Sequence, residues 1–458
     1  TVWYADADGD GFAGGDAPAY ACDAPEGHLP EAADCDDTDP AVHPDAEEVC
    51  DDGVDQNCDA SPAPCAIEGD PSWAVTRFVG ERPSEQAGSA VAVGDVDGDG
   101  VADVLVGADQ AWLADEDEQL GAVYLFSSPP SGTLAAADAT ARWDGAAPDS
   151  RLGRALEIVG DVDGDGVDDW LVGSLEVERG GVGALFLGGA TLPDLPAWTR
   201  AGTRGQFCGD VLAGGADVTG DGRLDWAVGC PGRQGGTLTL ASTDGEVELS
   251  GAGDADQFGY ADLADLDGDG VGDVLAAAYA ASTVHLFTGP VLAPATTADA
   301  DDAWSPPEPL WLGHVRALGD VDGDGHGDAA VVPFVGNVLV FRGGPGLALA
   351  TGPFATLATP EAAVLEAGDL DGDGVVDLAV GLDAAVPYGS VYLVPAPIAG
   401  TMDVTASPRL YGAAEGDGFG GALGVGDADG DGVDDLLVGA MGADGGVGGA
   451  WLFLGGGI

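Results

Sequence analysis

Lysine is absent from this 458-residue chain, and its 13 basic residues are all arginine. Against them stand 81 acids, giving a formal net charge of −68. Such a polyanion is repelled by nucleic acid and by anionic lipid, so neither is an expected partner. Long apolar runs are missing as well. No stretch approaches the ~20 residues of a membrane-spanning helix, and none has the form of a signal peptide. Thr1 is not an initiator, so a processed or trimmed N-terminus is expected, on a segment of a longer protein. Catalytic signatures are also missing. None of the five His accompanies a Ser or Cys nucleophile pattern, and no G-x-S-x-G, P-loop or H-E-x-x-H occurs. A non-enzymatic role follows as the expectation.

Cysteine is scarce and unevenly placed. Cys22, Cys35, Cys50, Cys58 and Cys65 crowd into the first 65 residues, among Gly, Pro and Asp, and only Cys208 and Cys230 lie beyond. There is no C-x-x-C pair, and the neighbours are carboxylates, which suit hard cations better than zinc. The expectation is a small disulfide-stapled module over residues 1–66, made in an oxidising compartment. Cys208 and Cys230 are expected to lie on successive strands of one repeat and to pair. The odd count leaves one thiol over.

What is present in abundance is one motif. D-x-D-G-D-G-x-x-D occurs seven times, starting at Asp95, Asp161, Asp217, Asp265, Asp320, Asp369 and Asp427, with Thr219 at the third position of the third copy. Each copy offers four oxygen side chains in nine residues, and its glycines let the backbone curl around an ion. Ca²⁺ takes six to eight oxygens at flexible geometry, from carboxylates, carbonyls and water. The expected ligands are Asp95, Asp97, Asp99 and Asp103 with the Val101 carbonyl, then Asp161, Asp163, Asp165 and Asp169 with Val167. Asp217, Thr219, Asp221 and Asp225 with Arg223 form the third set, one charge short and therefore expected to bind more weakly. Asp265, Asp267, Asp269 and Asp273 with Val271, and Asp320, Asp322, Asp324 and Asp328 with His326, form the next two. Asp369, Asp371, Asp373 and Asp377 with Val375, and Asp427, Asp429, Asp431 and Asp435 with Val433, complete the series. About seven Ca²⁺ ions are expected.

An EF-hand would need an acid at loop position 12 and helices on both sides. Here that position is Val106, Val172, Val228, Ala276, Val331, Val380 or Val438, each within an apolar, β-rich run. The motifs recur about every 55 residues, and each sits between short runs such as SAVAVG, VLVG and GAVYLF. Roughly four strands per repeat, seven times over, predict an all-β fold with a seven-bladed β-propeller over 67–458. An open β-solenoid is the alternative. The run at 73–79 (WAVTRFV) precedes the first motif and is expected to supply the closing strand of the last blade.

Phe258-Gly259 and Phe419-Gly420 precede strands, while Gly107-Ala108, Gly229-Cys230-Pro231 and Gly439-Ala440 follow the second strands. These residues resemble the FG-GAP repeat of integrin α-subunit propellers and related bacterial surface proteins. The resemblance implies an extracellular, secreted or cell-surface, adhesive or structural protein. It also implies a protein or glycan ligand, or a second copy, on the face opposite the calcium loops. On that face, Trp112 with the acids to Glu118, and the Pro-rich segment from Trp304 to Trp311, stand out. Lectin-like glycan binding and a polysaccharide-lyase enzyme are the alternative readings. A lyase needs a basic cluster that 13 scattered arginines do not provide.

In the first 66 residues, Tyr4 to Phe12, Asp34 to Pro40 and Cys50 to Asp59 resemble the MopE-type metal-binding motif of bacterial extracellular proteins. Asp6, Asp8 and Asp10 with the Phe12 carbonyl are the candidate ligands, and Asp34, Asp36, Asp37 and Asp39 are available to complete further ions. His28 and His43 sit in no His cluster, which disfavours copper.

Overall fold

Apolar runs bounded by Gly and Asp, and without helical periodicity, form strands. The computed structural model describes residues 2–8, 11–14, 18–30, 32–38, 40, 42–44 and 58. From 68 onward it describes all but 113–117, 129–130, 176–179, 233–234, 255, 361–362, 384–387 and 457–458. Contacts divide the chain into residues 1–67 with 406–408, and residues 68–405 with 409–458. Among the described residues the protein is all-β, and its one α-helical element is the four-residue turn Ala443–Gly446.

In the smaller unit, Val2–Ala5 pairs antiparallel with Ala19–Tyr20 on one side and His28–Leu29 on the other. Cys35 and Cys58 form a disulfide, and Cys22 is an exposed free thiol. Cys50 and Cys65 lie outside the described residues.

The larger unit holds seven sheets of four or five strands. The first three strands of each come from one repeat. The first sheet runs Ala87–Gly94, Asp103–Ala108 and Ala122–Phe126, with Ala141–Asp144 outermost. All seven second strands are six residues long and buried throughout, from Asp103–Ala108 to Asp435–Ala440. Burial on both faces explains why these runs lack the alternation of a half-exposed strand.

Two features link the sheets. The first strand of each repeat packs beside that of the next, and Ala422–Gly426 of the seventh packs beside Ala87–Gly94 of the first. Seven apolar clusters fill the spaces, each between two successive sheets. The cluster of Leu437, Leu452 and Phe78 with Val91, Val104 and Tyr124 joins the seventh to the first. The outermost strands add a second link. Thr76–Val79, upstream of the first repeat, pairs antiparallel with Gly449–Phe453 and is the fourth strand of the last sheet. It is shorter than the apolar run, because Trp73 belongs to the preceding 3-10 turn Pro71–Trp73. Gly132–Ala135 then runs parallel to Thr76–Val79, Ala295–Thr296 to Gly245–Ser250, and Gly400–Asp403 to Ala355–Ala358. In each case the segment leading to one sheet's outer strand first pairs with the outer strand of the sheet before.

Cys208 and Cys230 are disulfide-bonded. Cys230 ends the second strand Asp225–Cys230, but Cys208 lies just ahead of the first strand Val211–Ala216 rather than on it. Closing a loop of 22 residues constrains the unfolded chain by about 3 kcal/mol in the loop-entropy picture. The paired Cys208→Ala, Cys230→Ala variant is expected to lose about that much in urea denaturation. An unchanged midpoint would refute a stabilising role.

Candidate metal centre

The seven loops share one local design. The position-1 Asp holds the loop closed: Asp161 Oδ1 accepts from Gly164 N at 2.6 Å and Asp165 N at 3.0 Å, and Oδ2 from Gly166 N at 2.8 Å. The same bonds recur from Asp95, Asp217, Asp265, Asp320 and Asp427. Both glycines have φ between +73° and +91°, where a Cβ is strained, and this explains Gly at motif positions 4 and 6. Position 5 in every loop, and position 3 in all but the third with its Thr219, spends one oxygen on the backbone, as in Asp163 Oδ1 with Asp165 N and Asp165 Oδ1 with Val167 N. Their second oxygens accept no backbone N–H.

The position-9 Asp is the first residue of the second strand, not a loop residue, and is buried in every repeat. Asp169 Oδ2 accepts from Val162 N at 2.9 Å, and Oδ1 accepts from Gly188 N, just past the third strand, at 2.7 Å. Burial, with neighbouring carboxylates adding to it, pushes Asp103, Asp169, Asp225, Asp328 and Asp435 up to about 6. Asp273 and Asp377 are raised for the same reasons.

The donor set fits a hard cation. Carboxylate oxygens of Asp95, Asp97 and Asp99 lie within 4.8 Å of one another, as do those of Asp161, Asp163 and Asp169, of Asp265, Asp267 and Asp269, and of Asp320, Asp322 and Asp328. A divalent ion would relieve both this repulsion and the cost of ionising the buried position-9 group. In the third repeat no N–H reaches Asp225 Oδ1, which is buried and without a hydrogen-bond partner. Arg223 does not neutralise its own loop: its Nη1 donates to the Asp163 carbonyl of the neighbouring loop at 3.2 Å.

Adjacent loops are also tied together. Asp168 N donates to the Asp95 carbonyl at 2.9 Å, while Asp168 Oδ2 accepts from Asp95 N at 3.1 Å. Asp434 and Asp369 repeat the exchange. Position 8 is thus a link between repeats, which a motif read one copy at a time does not reveal.

In the smaller unit, Asp6, Asp8 and Asp37 bring oxygens together within the same 4.8 Å. Asp37 Oδ1 also accepts from Ala7 N at 2.9 Å, and the Phe12 ring stacks on His43. Asp10 and Asp39 lie outside the described residues.

Remote from the loops is a second polar feature. Starts of first strands (Arg154, Asp210) and residues just past second strands (Phe334, Asp383) line a cavity of about 470 Å³. Arg316, on the fifth first strand, reaches Glu157 of the second at 3.3 Å and Glu366 of the sixth at 2.7 Å. Burial pushes Glu157 up to about 8 and raises Glu366 and Asp262, while the two glutamates hold the Arg316 guanidinium charged. Burial, then the Arg316 charge, lowers His314 to about 4. No sequence motif marks these residues, because each is isolated in its own strand.

Two family models match this chain. Residues 87–126 match the FG-GAP repeat, and residues 34–61 match a metal-binding motif of the copper-binding MopE type. Human integrin alpha-X is 34% identical over 154 residues, covering 32% of this chain and 13% of the integrin. Integrin alpha-PS5 of Drosophila melanogaster is 31% identical over 165 residues, covering 34% and 16%. Mouse integrin alpha-IIb is 31% identical over 189 residues, covering 36% and 18%. The chain therefore carries an integrin-α-like FG-GAP repeat and a MopE-type motif, as the residues suggested, and it spans under a fifth of the length of these relatives.

Proposed function

We propose that residues 67–458 form a seven-bladed β-propeller whose D-x-D-G-D-G-x-x-D loops bind calcium, preceded by a metal-binding module over 1–66. In this reading the segment at 73–79 closes the last blade. The protein acts outside the cell as a non-enzymatic adhesive or structural element. The observation that carries the proposal is the cyclic order of the seven apolar clusters, the last joining the seventh sheet to the first, with a carboxylate loop after every first strand. The disulfides fit an oxidising compartment.

A ligand, protein or glycan, would dock on the end away from the loops. Trp311 (61% exposed) and Phe334 lie there beside Tyr279 and Tyr260. Trp304 does not join them, because it ends the strand Asp302–Trp304 and packs on Phe341. The acids at 115–117 lie outside the described residues. Isothermal titration with CaCl₂ after chelation is expected to show several sites at roughly 10⁻⁴–10⁻³ M. Absence of calcium binding up to 10 mM would overturn the reading. The adhesive role predicts retention on extracellular-matrix proteins or glycans that weakens with Trp311→Ala, and unchanged retention would count against this face.

A further inference from the structure

The fifth loop has a neighbour that the others lack. Arg342 follows the third strand Val338–Phe341 and turns back over the loop. Its Nε donates to Asp322 Oδ2 at 2.6 Å, its Nη2 pairs with the same oxygen, and Nε lies 3.6 Å from Asp324 Oδ2. The Phe354 ring holds the guanidinium from another side, 4.9 Å from Cζ. Beneath it the Asp322 side chain is only 6% exposed.

The atoms engaged are decisive. Asp322 and Asp324 occupy motif positions 3 and 5. Their Oδ1 atoms accept Asp324 N and His326 N at 3.1 Å each, as in the other loops. Their Oδ2 atoms are those left over to face a cation; Arg342 hydrogen-bonds that of Asp322 and lies within ion-pair range of that of Asp324. By strand register the equivalent positions are Ser127, Leu187, Ser242, Thr288, Pro395 and Leu454, none of them cationic. Among the described ion pairs, no other engages a ligand position of any loop.

We propose that Arg342 is a tethered cation that substitutes for the divalent ion in the fifth loop, so that this loop stays largely empty at calcium concentrations that fill its neighbours. This rests on the reading of the loops as calcium sites. Two guanidinium nitrogens converging on one Asp322 oxygen make a charge-assisted pairing, with the Asp324 charge beside it. Calcium must displace it before binding, which weakens that loop about ten- to a hundredfold relative to its neighbours. With free calcium about tenfold above the Kd of the ordinary loops, those are about nine-tenths filled, while a loop weakened ten- to a hundredfold is about half to one-tenth filled. The fifth loop is then set apart by a residue 22 positions beyond the motif's start, unlike the third, whose departure, Thr219, lies inside the motif.

The test counts bound calcium by equilibrium dialysis at free calcium about tenfold above the Kd of the ordinary loops, using wild type, Arg342→Gln, Asp324→Ala and the double variant. Circular dichroism would confirm the fold of each. Arg342→Gln is expected to bind one more ion than wild type. Asp324→Ala should leave the wild-type count unchanged, yet remove the extra ion from Arg342→Gln. If Asp324→Ala alone lowers the count by one, the fifth loop holds calcium despite Arg342 and the inference fails. It also fails if Arg342→Gln gains nothing. Asp163→Ala separates this from failure of the calcium reading: it should lose one ion through the second loop, and no calcium on any variant would reject the sites altogether.

Discussion

EDTA is expected to lower the melting temperature of the repeat array by about 10–20 °C from its value in ~10 mM calcium. Each extracellular-type site at ten- to hundredfold excess over its Kd adds about 1.4–2.7 kcal/mol. Six such sites contribute about 8–16 kcal/mol, comparable to the whole net stability of an ordinary domain. An array of ~390 residues loses about 0.8 kcal/mol per kelvin near its midpoint, which converts that sum to the stated shift. Scanning calorimetry with CaCl₂, then with excess EDTA, measures it. Coincident transitions would show that the loops hold themselves together without metal.

Acidification should act oppositely on the two forms. Without metal, Asp103, Asp169, Asp225, Asp328 and Asp435 sit at about 6 when folded and near 3.9 when unfolded. The folded state then binds more protons across that window. These groups favour folding fully below pH ~4, and the benefit is lost as pH rises through 6. Each costs at most about 3 kcal/mol at pH 7, so five together amount to several kcal/mol after discounting. The EDTA form should therefore melt higher at pH 5 than at pH 7.5. Salt near 0.5 M screens the surface charge that would otherwise contribute in the same direction. With calcium bound, the ion takes the proton's place, carboxylate pKa values fall, and stability is lost on acidification. The gap between the calcium and EDTA curves should thus narrow from pH 7.5 to pH 5. A metal-free form that melts higher as pH rises would contradict the buried, strained state assigned to these five carboxylates.

The sequence exposes the loops and their flanking strands because everything they need is local. Asp161 bonds to residues three to five places ahead, and Gly164 and Gly166 supply the φ values that the turn demands. The ligand set is legible for the same reason. What stays hidden is what depends on distant partners. Gly132–Ala135 (GTLA) is short and mostly exposed, and becomes a strand only by pairing with Thr76–Val79 across a sheet boundary. Arg223 attracts notice because it lies inside a motif, whereas Arg342, outside any motif, is the arginine that reaches loop carboxylates. Glu157, Arg316 and Glu366 meet only because their strands face one cavity. Cys208 is displaced from its expected strand because the chain crosses beside Gly181 before the strand begins.

The last sheet takes its outer strand from Thr76–Val79 and its inner three from the seventh repeat. On a ribosome the outer strand emerges first, and its partner Gly449–Phe453 emerges some 370 residues later. Until then Phe78 has neither Leu452 nor Ala450 to pack against, and the parallel strand Gly132–Ala135 has only an unsupported edge to join. The earliest part of the array to be synthesised is therefore among the last to be secured. Closure of the last sheet thus waits for the seventh repeat, rather than following from each repeat folding as it appears.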